Sequence, residues 1–166
     1  MPEAWLRGPV EGVDPWLMPV AHALAQARED VARVAADLTP EELAVRPGGA
    51  ASAAFHLRHL AGSLDRLFTY ARGEALSAQQ REALAAESAD AVADAGALLA
   101  EVDAAIGRAL DQLRRTRADD LLTPREVGRA RLPSTVLGLL FHAAEHTTRH
   151  VGQLITTVKV VRGAAG

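Results

Sequence analysis

Four stretches of this chain repeat an apolar residue every three or four positions, and helix-ending residues bracket each of them. That spacing lines one face of an α-helix with apolar side chains, so the chain has four helical stripes to bury. The first stretch opens at Asp14-Pro15, a capping residue before a proline at the first helical position. Its stripe is Leu17, Val20, Leu24, Ala27, Val31, Val34 and Leu38, and Pro19, just past the first turn, predicts a slight kink. The second starts near Ser52 and stops at Gly73, with Ala53, Leu57, Leu60, Leu64, Leu67 and Ala71 facing inward. The third runs from about Asp90 to Thr116, with Leu98, Leu99, Val102, Ile106, Leu110 and Leu113 inward. The fourth opens at Ser134, after Pro133, and closes at Gly163. Its face is Leu137, Leu140, Phe141, Ala144, Val151, Leu154, Ile155, Val158 and Val161.

The connections carry their own signals. Thr39-Pro40-Glu41-Glu42 reads as a cap and a short turn, and Arg46-Pro47-Gly48-Gly49 as a loop. Ser77-Ala78-Gln79-Gln80 has the form of a capping box and opens a short helix. Asp119 to Pro133 is irregular, with a short extended piece around Arg125 to Arg131. The 35 alanines set against six aromatic residues favour helix over strand. These signals predict an all-α fold, an antiparallel four-helix bundle with short extra helices in the connections, forming a single domain over residues 1–166.

Composition excludes several functions. With no cysteine, the chain has no disulfide framework, thiolate zinc site, iron–sulfur cluster or cysteine nucleophile. A net charge of −3 and few aromatics argue against a nucleic-acid partner. No apolar run approaches the roughly 18 residues of a membrane span, and Met1 to Trp5 lacks the pattern of a signal peptide. No membrane association and a cytoplasmic location are therefore expected.

Histidines carry the remaining chemistry. His56 and His59 fall in the second long helix, and His142, His146 and His150 in the fourth. Residues four apart lie one turn apart on the same face, so His146 and His150 can reach one ion. On the second helix His56 lies at about 65° and His59 at about 125° from the stripe centre. Either can meet the pair across the bundle, and the wheel slightly prefers His56. His22 reads as an ordinary surface or hydrogen-bonded residue, and His142 as a surface, dimer-contact or supporting one. The string His142-Ala143-Ala144-Glu145-His146 matches the zinc-protease pattern H-x-x-E-H, but no acidic residue follows it to complete such a site. A di-iron Glu-x-x-His motif fails as well, because Thr148 stands three residues after Glu145.

The block His146-Thr147-Thr148-Arg149-His150-Val151-Gly152-Gln153 resembles the H-x-x-x-H-x-G-Q signature of the DinB/YfiT-like superfamily. The segment from Ser52 to Ser63 is similar to that superfamily's histidine-bearing second helix, and the order of elements agrees along nearly the whole chain. The resemblance implies a bundle that binds one divalent transition metal, zinc or nickel before iron, through His59, His146 and His150. On that pattern His56 becomes a neighbour of the site. Gly152 is expected to allow close helix packing and Gln153 to hydrogen-bond near the ion.

Three imidazoles leave a coordination position open. The resemblance implies a metal-dependent thiol S-transferase of the detoxification or stress type, acting on a low-molecular-weight thiol such as bacillithiol or mycothiol and an electrophile. Arg58, Arg66 and Arg149 are candidates to receive a cofactor carboxylate. Two alternatives are a non-catalytic metal-binding stress or interaction protein, and a metal-assisted hydrolase with Glu145 or Asp65 as general base. A homodimer is expected, and the Ala-rich faces of the first and third long helices would allow one.

Overall fold

The computed structural model describes residues 1–88 and 94–164. Among these residues six α-helices alternate with short connections: α1 (Met18–Ala35), α2 (Pro40–Ala44), α3 (Ala53–Ala71), α4 (Ala78–Ala86), α5 (Ala95–Arg115) and α6 (Val136–Ala164). One two-stranded hairpin, β1 (Pro124–Val127) and β2 (Leu132–Thr135), precedes α6. The long helices α1, α3, α5 and α6 form the four-helix bundle.

Local chemistry sets most of the boundaries. The Asp14 side chain accepts from the Trp16 N–H and starts a 3-10 turn over Pro15–Leu17, which passes directly into α1. Pro19 therefore lies in the first turn of α1, where a missing N–H costs nothing, and the expected kink is replaced by this 3-10 to α step. Thr39 and Glu42 form a reciprocal capping box on α2, and Ser77 and Gln80 do so on α4. Ser52 caps α3 by accepting from the Phe55 N–H. At the other end, Gly73 at φ +80° closes α3. Its N–H donates to the Tyr70 carbonyl and the Glu74 N–H to that of Thr69, a Schellman ending.

The expected start of the third long helix near Asp90 lies outside the described residues. From the capping Asp94, α5 runs to Arg115. The short extended piece expected around Arg125 to Arg131 is a hairpin that begins at Pro124 and runs past Pro133, with Pro124 opposite Thr135 and Val127 opposite Leu132. Because residues 132–135 are extended, α6 starts at Val136 rather than Ser134. The Thr135 hydroxyl is its cap and accepts from the Gly138 N–H.

Each long helix packs against two others: α3 and α1 both lie against α5 and α6. Contacts of Asp65 with Arg108 and of Phe68 with Gln112 show that α3 and α5 run the same way. The pairs His56–His150 and His59–His146 show that α3 and α6 are antiparallel. Between α3 and α5, the short α4 carries the chain back along α3, from Gln80 beside Thr69 to Glu87 beside His59. That return makes the parallel α3–α5 neighbours possible.

The core joins Leu17, Leu24, Leu57, Leu60, Leu64, Ile106, Leu113, Leu140 and Leu154, all essentially inaccessible. Burying each such side chain stabilises the fold by about 1.5–3 kcal/mol. On α6 the buried face differs from the expected one. It passes through Val136, Leu139, Leu140, Ala143, Ala144, Thr147, Val151, Leu154 and Val158, whereas Phe141 is 62% exposed. The helix is wedged between α1 and α3, so Leu139, Ala143 and Thr147 turn inward. Phe141, about 100° round from Leu140, turns out.

Candidate metal site

The antiparallel meeting of α3 and α6 brings four histidines together. His59, His146 and His150 each offer one ring nitrogen, and these atoms all lie within 4.8 Å of one another, so the group could hold a metal ion. The Nε2 atoms of His59 and His146 are 3.0 Å apart. Two imidazole nitrogens at that distance need a proton or a cation between their lone pairs. The ring of His150 lies 4.5 Å, centroid to centroid, from those of both His59 and His146. All three are partly buried.

The surroundings favour neutral imidazoles. Burial pushes the His150 pKa down to about 4, helped by the neighbouring rings of His59, His146 and His56. His146 is lowered by burial first and then by His59 and His142. His56, 5% exposed, is lowered mainly by burial. A neutral ring is the form that ligates a metal. One buried nitrogen, His146 Nδ1, has no hydrogen-bond partner among the described residues. Three imidazole nitrogen donors with no carboxylate among them suit a divalent transition metal.

Other side chains fix these rings. His59 Nδ1 lies 2.7 Å from Glu87 Oε2, so its N–H donates to the carboxylate and Nε2 keeps its lone pair for the site. The other oxygen of Glu87 accepts from Arg66 Nη1 at 2.5 Å. Glu87 and Arg66 are both buried. A carboxylate behind a ligating histidine sets its tautomer and orientation and raises its basicity. Gly62 makes room for the pair: a Cβ there would stand 2.5 Å from Glu87 Oε1 and 2.7 Å from Arg66 Nη1. Phe55 stacks on His59, with the rings 8° from parallel and centroids 5.3 Å apart. His56 Nδ1 lies 3.2 Å from His150 Nδ1 and holds that ring from behind.

The remaining candidates fall elsewhere. His142 is exposed and bonds Glu145, whose second oxygen accepts from Arg149. His22 bonds the Gly8 carbonyl and ties down the N-terminal segment. Arg66 is held by buried Glu87, and the exposed Arg149 pairs with Glu145. Asp65 accepts from Gln80 and faces Arg108. Nothing lies within 4 Å of a Cβ placed on Gly152, so this glycine does not permit close packing as expected. Gln153 is exposed and has no hydrogen-bond partner among the described residues.

Nothing in the sequence pattern points to Glu87. It follows a short helix whose periodicity says nothing of what it faces, and only the return of α4 brings it to His59. Gly62 did leave a signal, since a glycine inside a helix costs about 1 kcal/mol against alanine and usually has a packing reason.

Among the described residues no helix is long and apolar enough to cross a membrane. No curated protein matches this chain in sequence. Solved structures do share the fold. YfiT from Bacillus subtilis, described as a probable metal-dependent hydrolase with an unusual four-helix bundle topology, superposes with a TM-score of 0.69 at 17% identity, covering 94% of this chain and 93% of its own. A conserved protein from Enterococcus faecalis gives 0.68 at 18% identity, over 89% of this chain and 97% of that one. The family model of the DinB superfamily matches residues 23–154, the span that holds α3, α6 as far as Leu154, and every histidine of the site. With that match over most of its length, the chain belongs to the DinB superfamily.

Proposed function

We propose that this protein is a divalent-metal-dependent thiol S-transferase, with His59, His146 and His150 as ligands to zinc or nickel, iron being a further candidate. Its substrates are a low-molecular-weight thiol, such as bacillithiol or mycothiol, and an electrophile. The observation that carries this reading is the convergence of three imidazoles whose nearest carboxylates are already engaged. Glu87 is held by His59 and Arg66, and Glu145 by His142 and Arg149. Hydrolysis asks for a positioned base to take a proton from water, whereas an ionised thiol is a nucleophile without one. A divalent ion at this site supplies the Lewis acidity that keeps a thiol ionised at neutral pH.

The chain's own residues prepare for that role. Glu87 and His56 hold the His59 and His150 rings from behind, and burial disfavours protonation of His146 and His150. In the transfer, the thiolate sulfur forms a bond to an electrophilic carbon, the leaving group departs with its electron pair, and the thiol proton passes to solvent. The same proposal extends to a homodimer, to be read by sedimentation.

The test begins with metal analysis of untagged protein alongside His59→Ala and His150→Ala. One ion per chain, lost in both variants, supports the ligand set. Conjugation of bacillithiol, mycothiol or glutathione to 1-chloro-2,4-dinitrobenzene is then followed, with release of chloride. Metal-loaded protein that conjugates none of them leaves the non-catalytic metal-binding reading. Thiol-independent ester or amide cleavage would favour metal-assisted hydrolysis, which draws its support from the description of YfiT.

A further inference from the structure

A large cleft lies away from the histidines, where the end of α3, the segment leading into α4, and the β1–β2 hairpin meet. Its volume is about 970 Å³, the size of a small-molecule site. Tyr70, on its wall, stands eleven residues beyond His59, about 16 Å along α3. The walls are apolar, built from Tyr70, Ala75, Leu76, Leu84 and Ala85, and Leu84 is 45% exposed.

Four arginines also line it: Arg81, Arg125, Arg129 and Arg131. Its two carboxylates are already paired, Glu126 with Arg131 and Glu74 with Arg72. Arg81, Arg125 and Arg129 have no carboxylate partner among the described residues. Two of these guanidinium groups are held in place by neutral acceptors. Arg125 donates to the carbonyls of Ala71 and Pro124 at 2.8 and 2.9 Å, and Arg81 donates to that of Leu76. Carbonyls fix a guanidinium fork without cancelling its charge, and a pre-positioned fork loses little freedom on meeting an anion.

We infer that this cleft binds an organic anion with an apolar body, its carboxylate, phosphate or sulfonate head facing Arg81, Arg125 and Arg129 and its body against Tyr70 and Leu84. The inference is independent of the metal proposal, because none of the site histidines lines the cleft.

Tyr70 is the only tyrosine of the chain, so incorporation of 3-fluorotyrosine places a single 19F resonance in the cleft. The probe is 1-anilinonaphthalene-8-sulfonate, with the uncharged N-phenyl-1-naphthylamine and inorganic sulfate as comparisons. The sulfonate should move the Tyr70 resonance saturably and bind at least tenfold more tightly than either comparison. The double variant Arg81→Gln/Arg129→Gln should weaken the sulfonate about tenfold and leave the uncharged amine unchanged. Arg129→Gln alone, at an exposed residue, should give a smaller loss in the same direction if the double variant fails to fold. An unmoved resonance, equal binding of the uncharged amine, or indifference to the arginine variants overturns the inference. Sulfate binding as tightly as the sulfonate overturns the role of the apolar wall.

Discussion

Replacing Gly62 with alanine tests whether the Glu87–Arg66 pair is as tightly held as its distances imply. In an exposed helix interior, Gly→Ala stabilises by about 0.8–1 kcal/mol. At Gly107 on α5 and Gly152 on α6 nothing lies within 4 Å of the new methyl group, so that gain should appear in full. At Gly62 the methyl carbon would stand 2.5 Å from Glu87 Oε1 and 2.7 Å from Arg66 Nη1, closer than real side chains tolerate. Both atoms end flexible side chains, but both side chains are buried and bonded to each other, and Glu87 also holds His59. Moving them weakens at least one charge-assisted hydrogen bond, worth about 1.5–3 kcal/mol. Set against the helix gain, Gly62→Ala should destabilise the metal-free protein by about 0.5–2 kcal/mol. The assay is urea unfolding of the three variants at unchanged m-value. A competition titration with a zinc chelator should then show metal affinity weakened by roughly 10–100-fold in Gly62→Ala alone. If Gly62→Ala stabilises as much as Gly107→Ala and leaves metal affinity intact, the pair is loosely held and the argument for Glu87 as the support of His59 fails.

Further outcomes follow from the same geometry. Glu87→Gln keeps the shape but removes the charge opposite buried Arg66, so it should cost about 1–3 kcal/mol in urea unfolding and weaken zinc binding. The pKa values of His56, His146 and His150 are depressed in the fold, so the unfolded chain, with imidazoles near 6.5, takes up protons first as pH falls. Their contribution is whole above about pH 6.5 and is lost as pH falls toward the folded value of about 4 for His150. The urea midpoint of metal-free protein should drop across that window, and His150→Gln should flatten the drop. Leu140→Ala should cost about 2–5 kcal/mol. Phe141→Ala, at a 62% exposed position, should stay within about 0.5 kcal/mol in the same assay.

Features governed by near neighbours along the chain are legible in the sequence itself. Asp14, Thr39, Ser52, Ser77 and Gly73 act over two or three residues, and each caps or closes a helix or turn where expected. The stripes of the first three long helices are buried almost as predicted, with Val34, Leu67 and Leu99 at their margins. Expectation and fold part where burial depends on a packing partner. Thr147 is fully buried on α6 while Phe141 is exposed, an inversion that hydropathy cannot anticipate.

For the site, sequence alone determined that His146 and His150 share a helix face and that His56 and His59 sit on the shoulder of another. It could not choose between the latter two, because a helical wheel gives angle and says nothing of height. The antiparallel register of α3 on α6 supplies the height, setting His59 level with His146 and His56 behind His150. Tertiary structure also supplied Glu87, whose carboxylate reaches His59 across 28 residues of sequence only because α4 runs back along α3. Caps and periodicity are local and survive in any arrangement of the helices, whereas the partners of a buried side chain exist only once the helices have chosen their neighbours.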